Sequence, residues 1–156
     1  MTKKEQYEQF LPDISLHIEG ETDAISVLAN ISAALKEEFL FFWVGFYMVC
    51  KDDNQLHLGP FQGSPACYRI GYGKGVCGSA WKERRTLVVP DVEEFPGHIA
   101  CSSLSRSEIV VPIFDSDGET VGVLDIDSTE LASFDSTDQH YLEQLCTIIT
   151  NTLYKR

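Results

Sequence analysis

The sequence predicts an α+β fold in which helices flank a sheet of antiparallel β-hairpins. Three observations lead to this prediction: helical periodicity at both ends, two pairs of apolar segments joined by short polar turns, and a glycine- and proline-rich segment that separates those pairs. The chain has 156 residues, an ordinary size for one domain with its own hydrophobic core. We therefore expect a single domain over residues 1–156.

The N-terminal part of the chain, about residues 3–37, is predicted to be helical. A first helix should cover residues 3–11 and end before Pro12, because proline disrupts a helix interior. A second helix should begin near Thr22, where apolar residues start to recur at helical spacing. These residues are Ala24, Leu28, Ile31 and Leu35.

Two β-hairpins are predicted between residues 41 and 130, the part expected to form the core and the pocket. The segment FFWVGFYMV is aromatic and β-branched, and the turn KDDN separates it from the alternating segment NQLHLGPF. The segments EIVVPIF and ETVGVLDID flank residues 115–118, which end in an Asp-Gly pair typical of hairpin turns. Both hairpins indicate an antiparallel sheet.

A long helix is predicted over residues 136–154. Ser136 and Gln139 have the spacing of a capping box, which would fix the start of this helix. Apolar residues at helical spacing should form its buried side. They are Leu142, Leu145, Ile149 and Leu153.

The charge balance excludes two classes of partner. The formal net charge is −12, from 24 acidic and 12 basic side chains. Nucleic acids and anionic membranes bind clustered positive charge, so we expect neither as a partner. No run of roughly 20 apolar residues could span a membrane, and the opening MTKKEQYEQF lacks the apolar core of an export signal. We therefore expect a cytoplasmic protein.

The glycine loop GYGKGVCG, residues 71–78, allows three interpretations: a phosphate cradle, a thiol site or a tight turn. Its glycine spacing is that of a dinucleotide-binding loop, but the required parallel strand, long helix and later acidic residue are missing. A turn into a short helix near residues 76–84 explains the glycines better. Cys77 would then lie in the first helical turn, where the thiol pKa can be lowered, although a buried structural cysteine is the alternative.

Five cysteines in a cytoplasmic chain argue against a structural disulfide framework. Cys146 lies beside the apolar side of the last helix and is interpreted as core, and Cys50 ends a strand without an evident partner. The other three fall in the loop-rich segment of residues 62–107; they are Cys67, Cys77 and Cys101. Only His98 and Cys101 have the spacing of a zinc-ligand pair, so no metal site is predicted. Thiol redox chemistry fits these loops better.

Carboxylates and aromatic residues could frame a pocket. Asp125 and Asp127 point to one face if residues 120–127 form a strand, about 6.6 Å apart at a rise of roughly 3.3 Å per residue. That face is either solvent or a pocket that attracts a cation. Glu108 opens the partner strand. Trp43 and Tyr47 share a face of the first strand, either as core or as the wall of a binding pocket.

Several segments together resemble the free methionine-(R)-sulfoxide reductases, a family of single GAF-domain enzymes. The segments are FFWVGFY, LGPFQGSPAC, GYGKGVCG, FPGHIACSSLSRSEIVVPI and GVLDIDS. The resemblance covers about residues 25–150 and implies a GAF-like antiparallel sheet flanked by helices, with the cysteine-bearing insert over the pocket. It also implies reduction of free L-methionine (R)-sulfoxide to L-methionine through a sulfenic acid and an intramolecular disulfide, regenerated by thioredoxin.

The resemblance also implies roles for individual residues. The attacking thiol would be Cys101, and the resolving thiols would be Cys67 and Cys77 in an order that is left open. Glu108 is the first candidate for the acid that protonates the departing oxygen. The substrate-binding residues would be Trp43, Tyr47, Asp125 and Asp127. The family implies no cofactor, a thioredoxin-type reductant as partner, and a homodimer.

Overall fold

The chain forms helices at both ends and an antiparallel sheet between them, as predicted. The computed structural model describes residues 1–155. The helices are α1 (Lys3–Ile18), α2 (Ala24–Phe39), α3 (Gly75–Glu83) and α4 (Ser136–Leu153), with a 3-10 turn at Val92–Glu94. The strands are β1 (Trp43–Cys50), β2 (Gln55–Gln62), β3 (Arg69–Gly71), β4 (Leu87–Val89), β5 (Ser107–Phe114) and β6 (Thr120–Ser128). The sheet order is β3-β2-β1-β6-β5-β4, with antiparallel pairing throughout.

The two faces of the sheet carry different cores. Successive side chains of a strand point to opposite faces, so Val44 and Phe46 of β1 and Leu124 of β6 lie under the large helices α1, α2 and α4. The opposite face carries a smaller core that includes Trp43 and Tyr47, and the short helix α3 packs on it. The loop-rich segment predicted over residues 62–107 lies on this second face. None of the helices in residues 1–155 combines the length and hydrophobicity that crossing a bilayer requires.

Helix α1 continues through Pro12 to Ile18, so the prediction that it ends before the proline is wrong. Proline removes one backbone donor, and in a helix interior this usually costs about 3 kcal/mol or more. Here Pro12 is exposed, while Ile14 and Ile18 beyond it are buried in the core under the helices. Because burial of each isoleucine is worth roughly 1.5–3 kcal/mol, packing offsets the local penalty.

Helix α4 starts at Ser136 as predicted, but its capping box lies one residue earlier than expected. Asp135 is the N-cap, and its carboxylate accepts from the backbone N–H groups of Thr137 and Asp138. The Asp138 side chain accepts in turn from the Asp135 N–H at 2.9 Å. Aspartate is as good an N-cap as serine, so the sequence alone allowed either register.

The buried carboxylate of Asp138 also joins the two ends of the chain. The Tyr7 hydroxyl donates to Asp138 Oδ1 at 2.7 Å, and Lys3 Nζ lies 2.7 Å from Oδ2. Tyr7 is fully buried, and its ring stacks on Tyr141 of α4 with centroids 5.3 Å apart. These contacts fix α1 against α4 on the helical face.

Replacing Tyr7 with phenylalanine should destabilise the protein, because the buried Asp138 carboxylate would lose a donor. We expect Tyr7→Phe to lower the free energy of unfolding in urea by about 1.5–3 kcal/mol, the range for a hydrogen bond to a charged group. Tyr141→Phe is the matched control, since Tyr141 stacks on the same ring but is only partly buried. Equal stabilities for Tyr7→Phe and the native protein would contradict this role of Asp138.

Candidate active site

A cavity lies on the second face of the sheet, between the ends of β1, β5 and β6, helix α3 and the loop of residues 98–105. Seven of the eight site residues predicted from sequence line it: Trp43, Tyr47, Cys77, Cys101, Glu108, Asp125 and Asp127. The eighth, Cys67, is joined to Cys101 by a disulfide bond at the rim, with the two Cα atoms 5.5 Å apart. The structure thus gathers residues separated by 84 positions of sequence, from 43 to 127, into one place.

Strand register brings the three carboxyl groups together. Glu108 of β5 lies opposite Asp127 of β6, and Asp125 lies opposite Gly45 of β1. Glu108 and Asp125 are only 5% and 6% exposed. Burial raises the pKa of Glu108 well above its ordinary value, and the charges of Asp125 and Asp127 raise it further. The two interpretations of this face are now resolved, because the acids face a cavity and not solvent.

Asp125 lies at the centre of this carboxyl cluster. Burial raises its pKa, although hydrogen bonds with Glu108, Cys77 and Asp127 oppose the rise. Its Oδ1 atom is buried and accepts no hydrogen bond from a backbone or amine donor of residues 1–155. The Sγ atom of Cys77 and a carboxylate oxygen each of Glu108 and Asp125 all lie within 4.8 Å of one another. A group of two carboxyls and a thiol of this kind can attract a cation, either an ammonium or a metal ion.

An aromatic wall stands beside the carboxyl cluster. The rings of Trp43 and Tyr47 have centroids 6.1 Å apart at an interplanar angle of 23°, and both are buried. Trp43 Nε1 donates to the Ser64 carbonyl at 3.0 Å, and the Tyr47 hydroxyl donates to the Cys67 carbonyl at 3.0 Å. Because both polar atoms are satisfied by the loop, the ring faces are left to pack against an apolar group.

The glycine loop is a tight turn into α3. Gly73 and Gly75 have φ angles of +73° and +60°, which glycine adopts readily. A Cβ atom on Gly78 would meet the Gly71 carbonyl oxygen at 2.3 Å, so only glycine fits this close backbone approach. The loop is therefore the turn into a short helix that the sequence favoured, and it places Cys77 in the first turn of α3 as predicted.

The expectation that the helix start lowers the pKa of Cys77 is wrong. Burial raises the pKa of this thiol well above its ordinary value, and the charges of Asp125 and Glu108 raise it further. Its Sγ donates toward Glu108 Oε2 at 3.9 Å. Desolvation and two facing carboxyls therefore outweigh the helix dipole, which typically contributes 0.3–1 kcal/mol, and Cys77 is a protonated thiol in this state.

The remaining cysteines lie outside the cavity. Cys146 is buried in the core under the helices, as the sequence predicted. Cys50 is partly buried at the end of β1 and carries a free thiol. The sequence had assigned no partner to Cys50, whereas the structure places Asp53 and His57 beside it.

Sequence reasoning missed some residues of the cavity. His98 lines the cavity, with its Nε2 atom 4.0 Å from Glu108 Oε1. Lys74, the N-cap residue of α3, lines the cavity as well. Burial lowers the pKa of His98, although the charge of Asp125 acts in the opposite direction. The sequence had offered His98 only as half of a zinc-ligand pair with Cys101. Its position three residues before a rim cysteine was the available signal that it faces the site.

Comparison with known proteins places the chain in a family. A family model described as "GAF domain" matches residues 21–153. GAF domain-containing protein A of Dictyostelium discoideum is 57% identical over 96% of this chain and 94% of its own length. Free methionine-R-sulfoxide reductase of Escherichia coli is 42% identical, with 100% of this chain and 96% of the relative covered. The chain belongs to the free methionine-R-sulfoxide reductase family of GAF domains.

A solved member of the free methionine-R-sulfoxide reductase family has nearly the same structure. The enzyme from Neisseria meningitidis, crystallised in complex with its substrate, superposes with a TM-score of 0.95 at 53% identity. The match covers 97% of this chain and 90% of that chain. The GAF fold and the family implied by the sequence motifs are thereby confirmed.

The buried carboxyl cluster should make stability fall as pH rises. The pKa of Glu108 is higher in the folded state than in the unfolded state. The contribution of Glu108 to the free energy of unfolding is therefore fully present below its unfolded pKa of about 4.3. That contribution is lost as pH rises through the folded pKa. We expect the free energy of unfolding of the ligand-free protein to decrease from about pH 5 toward pH 8.

Glu108→Gln should flatten this pH dependence, because a neutral amide cannot ionise. Each pKa unit of difference between the folded and unfolded states corresponds to about 1.4 kcal/mol, which denaturant titrations at several pH values resolve. Glu93→Gln is the matched control, since Glu93 is exposed on the 3-10 turn. An unchanged slope in Glu108→Gln would show that Glu108 does not carry the effect.

Proposed function

We propose that this protein reduces free methionine (R)-sulfoxide to methionine, with Cys101 as the nucleophile. The observation that carries the proposal is the position of the Cys67–Cys101 disulfide, at the rim of a cavity that combines buried carboxyls with an aromatic wall. The Neisseria meningitidis relative, 53% identical, was solved with its substrate and is named for this activity. A thiol-dependent oxidoreductase is the enzyme class that fits both facts.

Substrate recognition would depend on the carboxyl cluster. The ammonium group of a free amino acid supplies donors and positive charge to Asp125 and Asp127, including the unpartnered Oδ1 of Asp125. Methionine within a peptide has no such ammonium, so binding would leave the buried carboxyls without compensation, which is strongly unfavourable. Trp43 and Tyr47 would hold the methyl and methylene groups next to sulfur, as aromatic faces do for sulfur-bearing chains.

The chemistry would proceed by transfer of the sulfoxide oxygen. The Cys101 thiolate attacks the sulfoxide sulfur, the S–O bond of the substrate breaks as the oxygen passes to Cys101, and methionine leaves while Cys101 becomes a sulfenic acid. Oxide is a poor leaving group, so an acid must protonate this oxygen. Glu108 suits the task because burial and the neighbouring carboxyls raise its pKa and keep it protonated near neutral pH.

Resolution would regenerate the thiol in two steps. A second thiol attacks the Cys101 sulfenic acid, forming a disulfide and releasing water. The Cys67–Cys101 bond supports Cys67 as the first partner, since Cys77 is buried and protonated in the same state. An external dithiol of the thioredoxin type would then reduce the disulfide, either directly or after Cys77 has exchanged into it.

The proposal extends to the surroundings of the protein. A thiol cycle that ends in reduction by thioredoxin requires a reducing compartment, which is consistent with a cytoplasmic protein. A homodimer is expected from the family, and one domain over residues 1–156 accounts for all the proposed groups. No cofactor enters the proposed cycle.

A turnover assay tests the activity. Purified protein, free L-methionine sulfoxide containing both sulfur epimers, and dithiothreitol should yield methionine from the R epimer only. Cys101→Ser should abolish this turnover. When thioredoxin replaces dithiothreitol as the reductant, Cys67→Ser should produce about one equivalent of methionine and then become inactive. Cys146→Ser is the control, because Cys146 is buried away from the cavity. Binding of both epimers without turnover would overturn the proposal and indicate a ligand-binding GAF module.

A second assay tests the role of the carboxyl cluster in selectivity. Asp125→Asn should raise KM for the free amino acid by at least tenfold, because a buried charge-assisted contact is worth about 1.5–3 kcal/mol. N-acetylmethionine sulfoxide, which lacks the ammonium, should be a poor substrate of the native protein. Its KM should differ little between the native protein and Asp125→Asn. Equal KM values for the free amino acid in both proteins would remove Asp125 from ammonium binding.

A further inference from the structure

The tip of the β1–β2 hairpin carries a cluster of thiol, imidazole and carboxylate groups that the proposed reaction does not use. Cys50 ends β1, Asp53 lies in the connecting turn, and His57 lies on β2. The Sγ atom, a carboxylate oxygen and a ring nitrogen of these residues all lie within 4.8 Å of one another. His57 Nε2 and Asp53 Oδ2 are 2.7 Å apart.

Strand register explains why these side chains meet. Cys50 pairs with Gln55, and Met48 pairs with His57, so Cys50 and His57 lie diagonally on the same face of the hairpin. Diagonal pairs of this kind are within reach of each other's side chains. Asp53 Oδ1 accepts from the Gln55 N–H at 3.2 Å, and this bond holds the carboxylate with its other oxygen toward His57.

We propose that Cys50, Asp53 and His57, the hairpin site, bind one divalent transition-metal ion of the zinc class. Thiolate, imidazole and carboxylate are the ligands that Zn²⁺ uses in proteins, with bonds of about 2.0–2.3 Å. Tetrahedral geometry with such bonds separates the ligand atoms by about 3.3–3.8 Å. The three ligand atoms are now separated by distances between 2.7 Å and at most 4.8 Å. Side-chain rotations that move these atoms by about 1 Å would therefore give tetrahedral spacing.

The charges and exposure of the hairpin site favour a cation. The Asp53 carboxylate already lies 2.7 Å from a ring nitrogen of His57, so an acidic and an imidazole ligand are close together before any ion binds. Binding of the ion would release the proton of the Cys50 thiol, and the ring nitrogen of His57 would bind through its lone pair. Asp53 is exposed and His57 is partly exposed, so water can occupy the fourth coordination position.

The hairpin site is separate from the cavity described above. Cys50 shares a sheet face with Met48, which packs against the core under the helices, whereas the cavity residues of β1 lie on the opposite face. The cluster of Cys77, Glu108 and Asp125 is the other group with metal-ligand chemistry in residues 1–155, and it belongs to the cavity. Metal binding at the hairpin can therefore be tested independently of turnover.

The test uses the oxidised full-length protein, dialysed against a chelator and then titrated with Co²⁺ as a spectroscopic probe. We expect one equivalent to bind and to give the near-ultraviolet charge-transfer absorption of a cobalt–thiolate bond, which Zn²⁺ then removes by displacement. Cys50→Ser should abolish this absorption, and His57→Gln should weaken binding at least tenfold. Cys77→Ser is the matched control and should bind Co²⁺ like the native protein.

Two further measurements keep the outcome decisive. Zn²⁺ should raise the Tm of the native protein and of Cys77→Ser but not of His57→Gln, because an ion that binds only the folded state stabilises it. Cys50→Ser should retain full methionine sulfoxide turnover, which separates failure of this site from failure of the proposed function. Absence of a cobalt–thiolate band at millimolar Co²⁺, or a band lost in Cys77→Ser and kept in Cys50→Ser, would overturn the hairpin site.

Discussion

The pairing of β1 with β6 is the contact on which the rest of the structure depends. It joins the two hairpins into one sheet and aligns Trp43 with Asp127, Gly45 with Asp125 and Tyr47 with Val123. A slip of one residue would turn every side chain of a strand to the other face. A slip of β1 would turn Trp43 and Tyr47 into the helical core and bring Val44 and Phe46 to the cavity, while the acids of β5 and β6 kept their face. One register therefore positions both the main core and the candidate active site.

The two faces of the sheet have opposite effects on stability. The face covered by α1, α2 and α4 is apolar, and its core residues are almost completely buried. The other face holds three carboxyl groups that burial and mutual repulsion make unfavourable when they ionise. A cavity of this kind is stable only because the first face supplies the packing energy, and a cation in the cavity would relieve the repulsion.

Much of this arrangement could be predicted from sequence because alternation along strands is a local signal. The faces of Trp43, Tyr47, Asp125 and Asp127 follow from counting residues, and the Asp-Gly turn locates the second hairpin. The strands β3 and β4 have only three residues each, which is too short for alternation along a strand to be recognised in the sequence. Which cysteine pairs with Cys101 also depends on how the long middle segment folds back on the sheet.

The errors share a physical cause, since each followed a local rule that tertiary contacts override. Pro12 should end a helix, yet burial of Ile14 and Ile18 keeps α1 continuous. Cys77 lies at a helix start, yet desolvation and two carboxyls dominate its thiol. Cys50 had no partner near it in the sequence pattern, because only the hairpin register shows that His57 lies on the same face.

The Cys67–Cys101 bond spans 34 positions of sequence, and the loop it closes contains α3 and β4 together with much of the cavity rim. Closing a loop of this length removes chain entropy from the unfolded state worth about 4 kcal/mol in the chain-entropy model. The oxidised protein is therefore the more durable form. With this bond intact, the protein should resist unfolding and proteolysis better than the same chain with Cys67 and Cys101 as free thiols.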